Sequence, residues 1–100
     1  MKITKTNDGN TLTVCVEGSL DTNTAPDLND ELKGSTEGIN RLIFDLSKLT
    51  YVSSAGLRVF ISAHKLLEKQ GGSMMIKHPT EEVMEIFDMT GFSGILNIEV

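Results

Sequence analysis

Ser54 is the residue in this sequence whose setting comes nearest to that of a catalytic nucleophile. A serine hydrolase places its nucleophile on a strand-to-helix turn within the pattern G-x-S-x-G. Gly56 follows Ser54 at the required spacing, but Val52 stands where the first glycine should be. The only histidines are His64 and His78, and His64 lies about 15 Å along the helix that Ser54 is predicted to begin. His64 therefore cannot act as the base, and we do not expect a hydrolase.

The other reactive residue types do not form a catalytic, metal-binding or nucleotide-binding group. Neither histidine pairs with Cys15 or with a carboxylate at the spacing of zinc ligands. The sequence has no G-x-x-x-x-G-K-[ST] motif, and Gly71-Gly72 precedes a predicted strand instead of a helix. Glu81 and Glu82 are adjacent in a predicted helix, so their carboxylates point apart. Cys15 has no basic neighbour in sequence to favour its thiolate, so we expect a packed small side chain. We predict a protein that is not an enzyme and that binds no cofactor or metal.

A run of small residues, Ser53-Ser54-Ala55-Gly56, is the remaining candidate for a functional site. It follows a predicted central strand and so lies at the carboxyl edge of the sheet, where α/β proteins place their sites. Capping explains one serine, because a serine hydroxyl at a helix N-terminus accepts a hydrogen bond from an otherwise unpaired amide. The second hydroxyl and its small neighbours also suit a close approach by another protein's backbone. The residues alone leave both interpretations open.

Hydrophobic periodicity predicts the elements that position this run. Leu12, Val14 and Val16 alternate with polar residues, which indicates a strand with one buried face. A near-continuous apolar run over residues 41–46 indicates a central strand covered on both faces. The predicted strands cover residues 2–6, 11–18, 41–46, 73–77 and 95–100, and the predicted helices begin near Thr24, Ser53 and Pro79 and end near Gly34, Gly71 and Gly91.

The resulting order, β-β-α-β-α-β-α-β, predicts an α/β fold with a mixed, mostly parallel sheet and helices packed against it. An antiparallel hairpin begins the sheet. Thr24 is the predicted N-cap of the first helix, with Pro26 tolerated in its first turn. A length of 100 residues fits a single domain over residues 1–100.

Charge and hydropathy indicate which partners to expect. The formal net charge is −5 and the nine basic residues are scattered, which argues against nucleic acid as a partner. No apolar run approaches the ~18 residues of a membrane-spanning helix, so we expect no membrane insertion. The segment from Met1 to Lys5 lacks the apolar core of a signal peptide, so the expected location is the cytoplasm.

Four segments together resemble the STAS domain family, and in particular the bacterial anti-sigma factor antagonists. The stretch from Asp45 to Leu57 resembles the family pattern of D-[LF]-S, a short apolar stretch and [DS]-S-[SAT]-G-L. Residues 18–25 match G-x-L-D-x-x-T-A. The remaining parts of the family pattern match Gly71-Gly72, which precedes a strand, and residues 87–92. The resemblance therefore extends over essentially the whole chain.

The resemblance implies a partner switch controlled by phosphorylation. An unmodified antagonist of this family binds an anti-sigma factor, which is also a serine kinase that holds ATP, and so frees a sigma factor. The kinase phosphorylates the serine before [SAT]-G-L, here Ser54, and a separate serine phosphatase reverses the modification. The predicted partner surface consists of Asp21, Thr22, Asn23, Ser53, Ser54, Ala55, Gly56 and Leu57.

One departure from the family pattern leaves alternatives open. Many members have Asp immediately before the phosphoserine, whereas this chain has Ser53, which is therefore a second candidate acceptor. Asp21 has two interpretations, a part of the partner surface or a loop residue that binds nearby amides. Other modules of the family are never phosphorylated and serve as scaffolds or regulatory subunits in lipid- or anion-transport assemblies. A sensor that binds a small molecule at the same loop is a third alternative.

Overall fold

The computed structural model describes residues 1–99, which form six strands, three α-helices and one short 3-10 turn. The helices are α1 (Ala25–Leu32), α2 (Ser54–Lys69) and α3 (Glu81–Thr90), and the 3-10 turn covers Phe92–Gly94. The strands are β1 (Lys2–Asp8), β2 (Thr11–Leu20), β3 (Arg41–Asp45), β4 (Leu49–Val52), β5 (Ser73–Lys77) and β6 (Ile98–Glu99).

The long strand β2 organises the sheet because it pairs with three other strands. β1 runs antiparallel to it, from Lys2 opposite Glu17 to Asp8 opposite Thr11. Along its other edge, β3 pairs in parallel with the first half of β2 and β4 pairs in parallel with its end. The main path of the sheet is β1-β2-β3-β5-β6, with β3, β5 and β6 all parallel. The predicted fold class, an α/β fold with a mostly parallel sheet and an initial hairpin, is confirmed.

The strand β4 is absent from the predicted order, which is wrong at this point. The observed order is β-β-α-β-β-α-β-α-β. β4 has only four residues, its two middle residues are exposed, and the exposed Ser47 and Lys48 precede it. Such a segment shows neither the alternation nor the continuous apolar run by which a strand is recognised. It becomes a strand because β2 extends to Leu20 and offers it a pairing edge.

Three aromatic rings connect the central strand to two helices in the core. Phe44 of β3 and Phe60 of α2 pack edge to face with ring centroids 5.0 Å apart. Phe60 packs in the same manner against Phe87 of α3, at 6.2 Å. All three side chains are fully buried, and aromatic pairs in this geometry stabilise a core beyond the area that they bury. These contacts hold α2 against both β3 and α3 in the core.

The ends of several elements differ from the prediction. Thr24 does occupy the N-cap position of α1, but its hydroxyl makes no capping bond to that helix; it accepts a bond from the Asp21 amide and donates to the Ser19 carbonyl. The helix α1 ends at Leu32, two residues before Gly34. Gly91 caps α3 in the left-handed conformation, with φ +80°, as predicted.

The last strand is shorter than the predicted range of 95–100. Residues 92–94 form the 3-10 turn, and only Ile98 and Glu99 pair with β5. Ile95 is a turn residue that exposes its side chain, while Leu96 is buried. Val100, the last residue of the predicted strand, lies outside the described residues.

Candidate functional site

The candidate site lies where β2 and β4 end together at one edge of the sheet. Leu20, the last residue of β2, pairs with Val52, the last residue of β4. The amide of Ser53 then donates a hydrogen bond of 2.8 Å to the Leu20 carbonyl. The loop after β2, which begins at Asp21, therefore lies beside the start of α2. The structure brings together the two segments that the sequence assigned to one surface.

Ser53 is the N-cap of α2, and its hydroxyl is part of the helix start. Its backbone is extended, with φ −88° and ψ 174°, and its Oγ accepts a hydrogen bond of 3.2 Å from the Gly56 amide. Its carbonyl accepts the first helical bond, of 2.9 Å, from the Leu57 amide. The side chain is half-buried. Ser53 thus has the structural role that one serine of the pair was expected to have.

Ser54 is the first residue of α2, and its side chain is exposed. No residue within 1–99 forms a hydrogen bond with its hydroxyl, and none accepts a bond from the amides of Ser54 and Ala55. The first amides of a helix carry a partial positive charge because they lack partners within the helix. The exposed hydroxyl therefore lies where an added negative charge is favoured.

Gly56 and Leu57 lie beneath the surface, which corrects the expectation that they contact a partner directly. A Cβ on Gly56 would lie 2.7 Å from Cγ of Leu20 and 2.8 Å from Cγ2 of Val52. Leu57 is buried in the core. Gly56 is small because α2 packs closely on the ends of β2 and β4, and its backbone conformation does not require glycine. The predicted platform of small residues reduces to Ser53, Ser54 and the half-buried Ala55.

Asp21 holds the loop after β2 in shape. Its Oδ1 accepts bonds from the amides of Asn23 and Thr24, at 2.9 and 3.0 Å, and from the Thr24 hydroxyl at 3.1 Å. These bonds lower the pKa of the Asp21 carboxyl, the Thr24 amide contributing most, while partial burial opposes the shift. The interpretation of Asp21 as a loop residue that binds nearby amides is confirmed. The loop leaves Thr22 and Asn23 exposed beside the start of α2.

A shallow groove between α1 and α2 continues this surface. Its walls meet the site at Thr22 and Ala55, and Arg58 is exposed one helical turn beyond Ser54. Arg58 is not among the predicted site residues, although its position four residues after Ser54 on the same helix places the two side chains on one face. The groove is lined by Thr22, Ala25, Pro26, Asn29, Ala55, Arg58, Val59 and Ser62.

The histidines and the cysteine lie in other environments. His64 is a half-buried residue of α2 whose Nε2 lies 3.5 Å from the Glu68 carboxylate. His78, just before Pro79, has a left-handed backbone with φ +55°. Cys15 is half-buried in a depression of the sheet, where burial raises the pKa of its thiol against the opposing charge of Lys48. None of the three contributes to the surface around Ser54.

Residues 1–99 contain neither a metal-binding group nor a membrane-spanning helix. No three His, Cys, Asp or Glu side chains among them gather into a group that could hold a metal ion. In the same residues, no helix is both long enough and apolar enough to cross a membrane.

The sequence as a whole, and not only this edge of the sheet, identifies the family. The model of the STAS domain family matches residues 2–100, so the chain belongs to that family. The anti-sigma-B factor antagonist of Bacillus subtilis (strain 168) is 34% identical to it over 89 residues, which are 89% of this chain and 82% of that protein.

Solved structures of the Bacillus protein SpoIIAA, an anti-sigma factor antagonist, have the same fold. Its unphosphorylated form superposes with a TM-score of 0.84 at 15% identity, covering 99% of this chain and 89% of SpoIIAA. Its phosphorylated form superposes with a TM-score of 0.76 at 14% identity, covering 99% and 92%. The predicted membership of the STAS domain family is confirmed.

Proposed function

We propose that this chain is an anti-sigma factor antagonist whose binding is controlled by phosphorylation of Ser54. The unmodified form binds an anti-sigma factor that is also a serine kinase, and this binding frees a sigma factor for transcription. The phosphorylated form is released, and a serine phosphatase restores the hydroxyl. Because ATP and sigma factors act in the cytoplasm, we place the cycle there. The antagonist relative in Bacillus subtilis supports the first part of this proposal.

The observation that carries the proposal is the difference between two adjacent hydroxyls. The Ser53 hydroxyl is half-buried and accepts the Gly56 amide, whereas the Ser54 hydroxyl is exposed and has no partner within residues 1–99. A kinase must bring the acceptor oxygen within contact distance of the γ-phosphate of ATP. Ser54 can be approached without breaking a bond of the fold, but Ser53 cannot. Ser54 is therefore the proposed acceptor.

The chemistry requires nothing of this chain except the hydroxyl. In the forward step Ser54 Oγ forms a bond to the γ-phosphorus of ATP held by the kinase, the bond from that phosphorus to the β-phosphate oxygen breaks, and ADP leaves. The hydroxyl proton goes to a base of the kinase. In the reverse step water attacks the phosphoester on the phosphatase, which releases inorganic phosphate and restores the serine. The chain is a substrate of both enzymes and is itself not an enzyme.

The added charge affects the complex far more than the fold. Phosphate adds about 1.5–2 negative charges, and a charge of this sign at a helix N-terminus is stabilised by about 0.3–1 kcal/mol. In a close, partly dry contact with a partner, the same dianion loses hydration unless a cation meets it. A loss of ~3–4 kcal/mol weakens binding by roughly two to three orders of magnitude, which is enough for a switch.

Intact-mass analysis of the protein purified from its native cells tests this proposal. We expect a fraction that is heavier by one phosphate, about 80 Da from the added HPO₃, with the phosphate mapped to Ser54. The same preparation distinguishes the alternative function. Protein that carries no phosphate in any growth phase, and that co-purifies stably with membrane transport subunits, would identify a transport scaffold and overturn the proposal.

A further inference from the structure

Arg58 is a cation with no partner within the residues that the structure describes. The ion pairs of residues 1–99 join Lys5 to Glu31 and Lys33 to Asp30, the His64 ring lies beside Glu68, and none of these contacts includes Arg58. No carboxylate lines the groove into which Arg58 is placed. Its guanidinium, which has five donor N–H groups, is exposed on α2.

Arg58 follows Ser54 by four residues on the same helix, and this spacing brings their side chains together. Residues i and i+4 of a helix face the same side, with Cβ atoms about 5–6 Å apart. A serine phosphate extends beyond its Cβ, and an arginine side chain is long enough to meet it. Guanidinium and phosphate form paired, charge-assisted hydrogen bonds in this arrangement. The amides of Ser54 and Ala55, which have no acceptor within residues 1–99, are further donors at the same helix start.

The acidic groups around this position leave the pair undisturbed. Asp27, Asp30 and Glu31 of α1 line a separate depression with Met1 and Ile3. Asp21, in the loop beside α2, has its carboxylate engaged by the amides of its own loop.

We propose that Arg58 is the residue that receives the phosphate of phosphorylated Ser54 within the same chain. As a regulatory device this rests on the proposed function, which makes Ser54 the natural acceptor. In the unmodified protein Arg58 remains free at the mouth of the α1–α2 groove, where it presents a positive charge beside Ala55 and Thr22. In the phosphorylated protein the phosphate pairs with the Arg58 guanidinium and blocks this end of the groove. Phosphorylation thus adds a negative charge and removes a positive one from the same surface.

The second pKa of the phosphate reports directly on its interaction with Arg58. Phosphoserine is installed at position 54 during translation, so that no kinase is needed, and the phosphate is titrated by ³¹P NMR in the full chain. A guanidinium at contact distance favours the dianion, so the second pKa is lower in the wild type than in Arg58→Gln. We expect a difference of roughly 0.5–1 pKa unit. In ~1 M salt, where the Debye length is about 3 Å, the difference should shrink.

Matched variants separate a local pair from a general effect of charge. Lys65→Gln removes one exposed cation from the same helix about three turns from Ser54, and it should leave the titration unchanged. Arg58→Lys should retain part of the shift, because it keeps the charge but not the fork of donors. Circular dichroism of Arg58→Gln should match the wild type, since the Arg58 side chain makes no ion pair or hydrogen bond within residues 1–99.

Equal titrations of the phosphate in the wild type, Arg58→Gln and Lys65→Gln would overturn the inference. That result would leave the proposed function intact, because the phosphate could still block the partner by its own charge. Conversely, a shift caused by Arg58 in a protein that cells never phosphorylate would confirm the pair and contradict the proposed function.

Discussion

The hydroxyl of Thr80 donates a hydrogen bond of 2.8 Å to the carbonyl of Leu49. The same oxygen accepts a bond of 3.3 Å from the Val83 amide as the N-cap of α3. One side chain thus begins a helix and ties that helix to β4, the strand that leads into Ser53. The site therefore depends on a contact between two residues that are 31 positions apart in the chain.

Thr80→Val should destabilise the fold by about 1–2 kcal/mol, because it removes an N-cap and a bond to a carbonyl of β4. Urea denaturation measures the change. Thr6→Val is the control, since Thr6 is an exposed residue of β1 whose hydroxyl makes no hydrogen bond within residues 1–99. Similar midpoints for both variants would show that the Thr80 bonds contribute nothing.

Gly56→Val should destabilise the protein by about 1–3 kcal/mol, since new methyl groups would overlap the side chains of Leu20 and Val52. Gly94→Ala is the control, because a Cβ at Gly94 meets nothing within 4 Å. Thermal or urea denaturation of both variants checks this. A Gly56→Val protein as stable as the wild type would show that α2 can move away from the sheet.

The sequence was sufficient for the elements whose burial pattern is regular. The alternation of Leu12, Val14 and Val16 identifies β2, and the helical spacing from Leu57 onwards identifies α2. The missed features depend on contacts between distant segments. β4 exists because β2 extends to Leu20, and the inward position of Gly56 is defined only once α2 packs on those two strands.

The candidate site was predictable in position but not in the role of each residue. The sequence motif and the predicted start of α2 place both Ser53 and Ser54 at the site. Only the structure shows that the Ser53 hydroxyl caps the helix while the Ser54 hydroxyl has no partner within residues 1–99. Thr24 illustrates why: a threonine before a helix matches an N-cap, but its hydroxyl instead bonds backbone groups of Ser19 and Asp21. Competition among nearby donors and acceptors decides such details, and it depends on the folded loop.

Acid should destabilise the loop after β2 through Asp21. Hydrogen bonds to the ionised carboxylate lower its folded pKa below the unfolded value, so its contribution is complete above the unfolded pKa and is lost as the pH falls through the folded pKa. Below about pH 4 the melting temperature of the wild type should therefore fall as the pH is lowered. In Asp21→Asn this fall should be less steep. Asp88→Asn, an exposed control on α3, should retain the wild-type decline. A wild-type slope in Asp21→Asn would contradict this role.

Ser54→Asp should leave the fold intact and mimic part of the added charge. Because Ser54 is exposed at the helix start, the carboxylate meets the partial positive charge of the first amides, and the melting temperature should stay the same or rise slightly. Circular dichroism over a thermal ramp checks this. An unfolded Ser54→Asp protein would contradict the expectation that the fold tolerates a phosphate at this position.

Ser53→Ala should lower the free energy of unfolding by about 1 kcal/mol, since it removes the side-chain oxygen that accepts the Gly56 amide.

The identity of the phosphate acceptor decides whether Ser54 is the switch residue. The wild type, Ser54→Ala and Ser53→Ala are expressed in the native cells, and the phosphate on each is located by peptide mass spectrometry. We expect phosphate on Ser54 in the wild type and in Ser53→Ala, and none in Ser54→Ala. Phosphate on Ser53, or a Ser54→Ala protein that is modified as fully as the wild type, would contradict it.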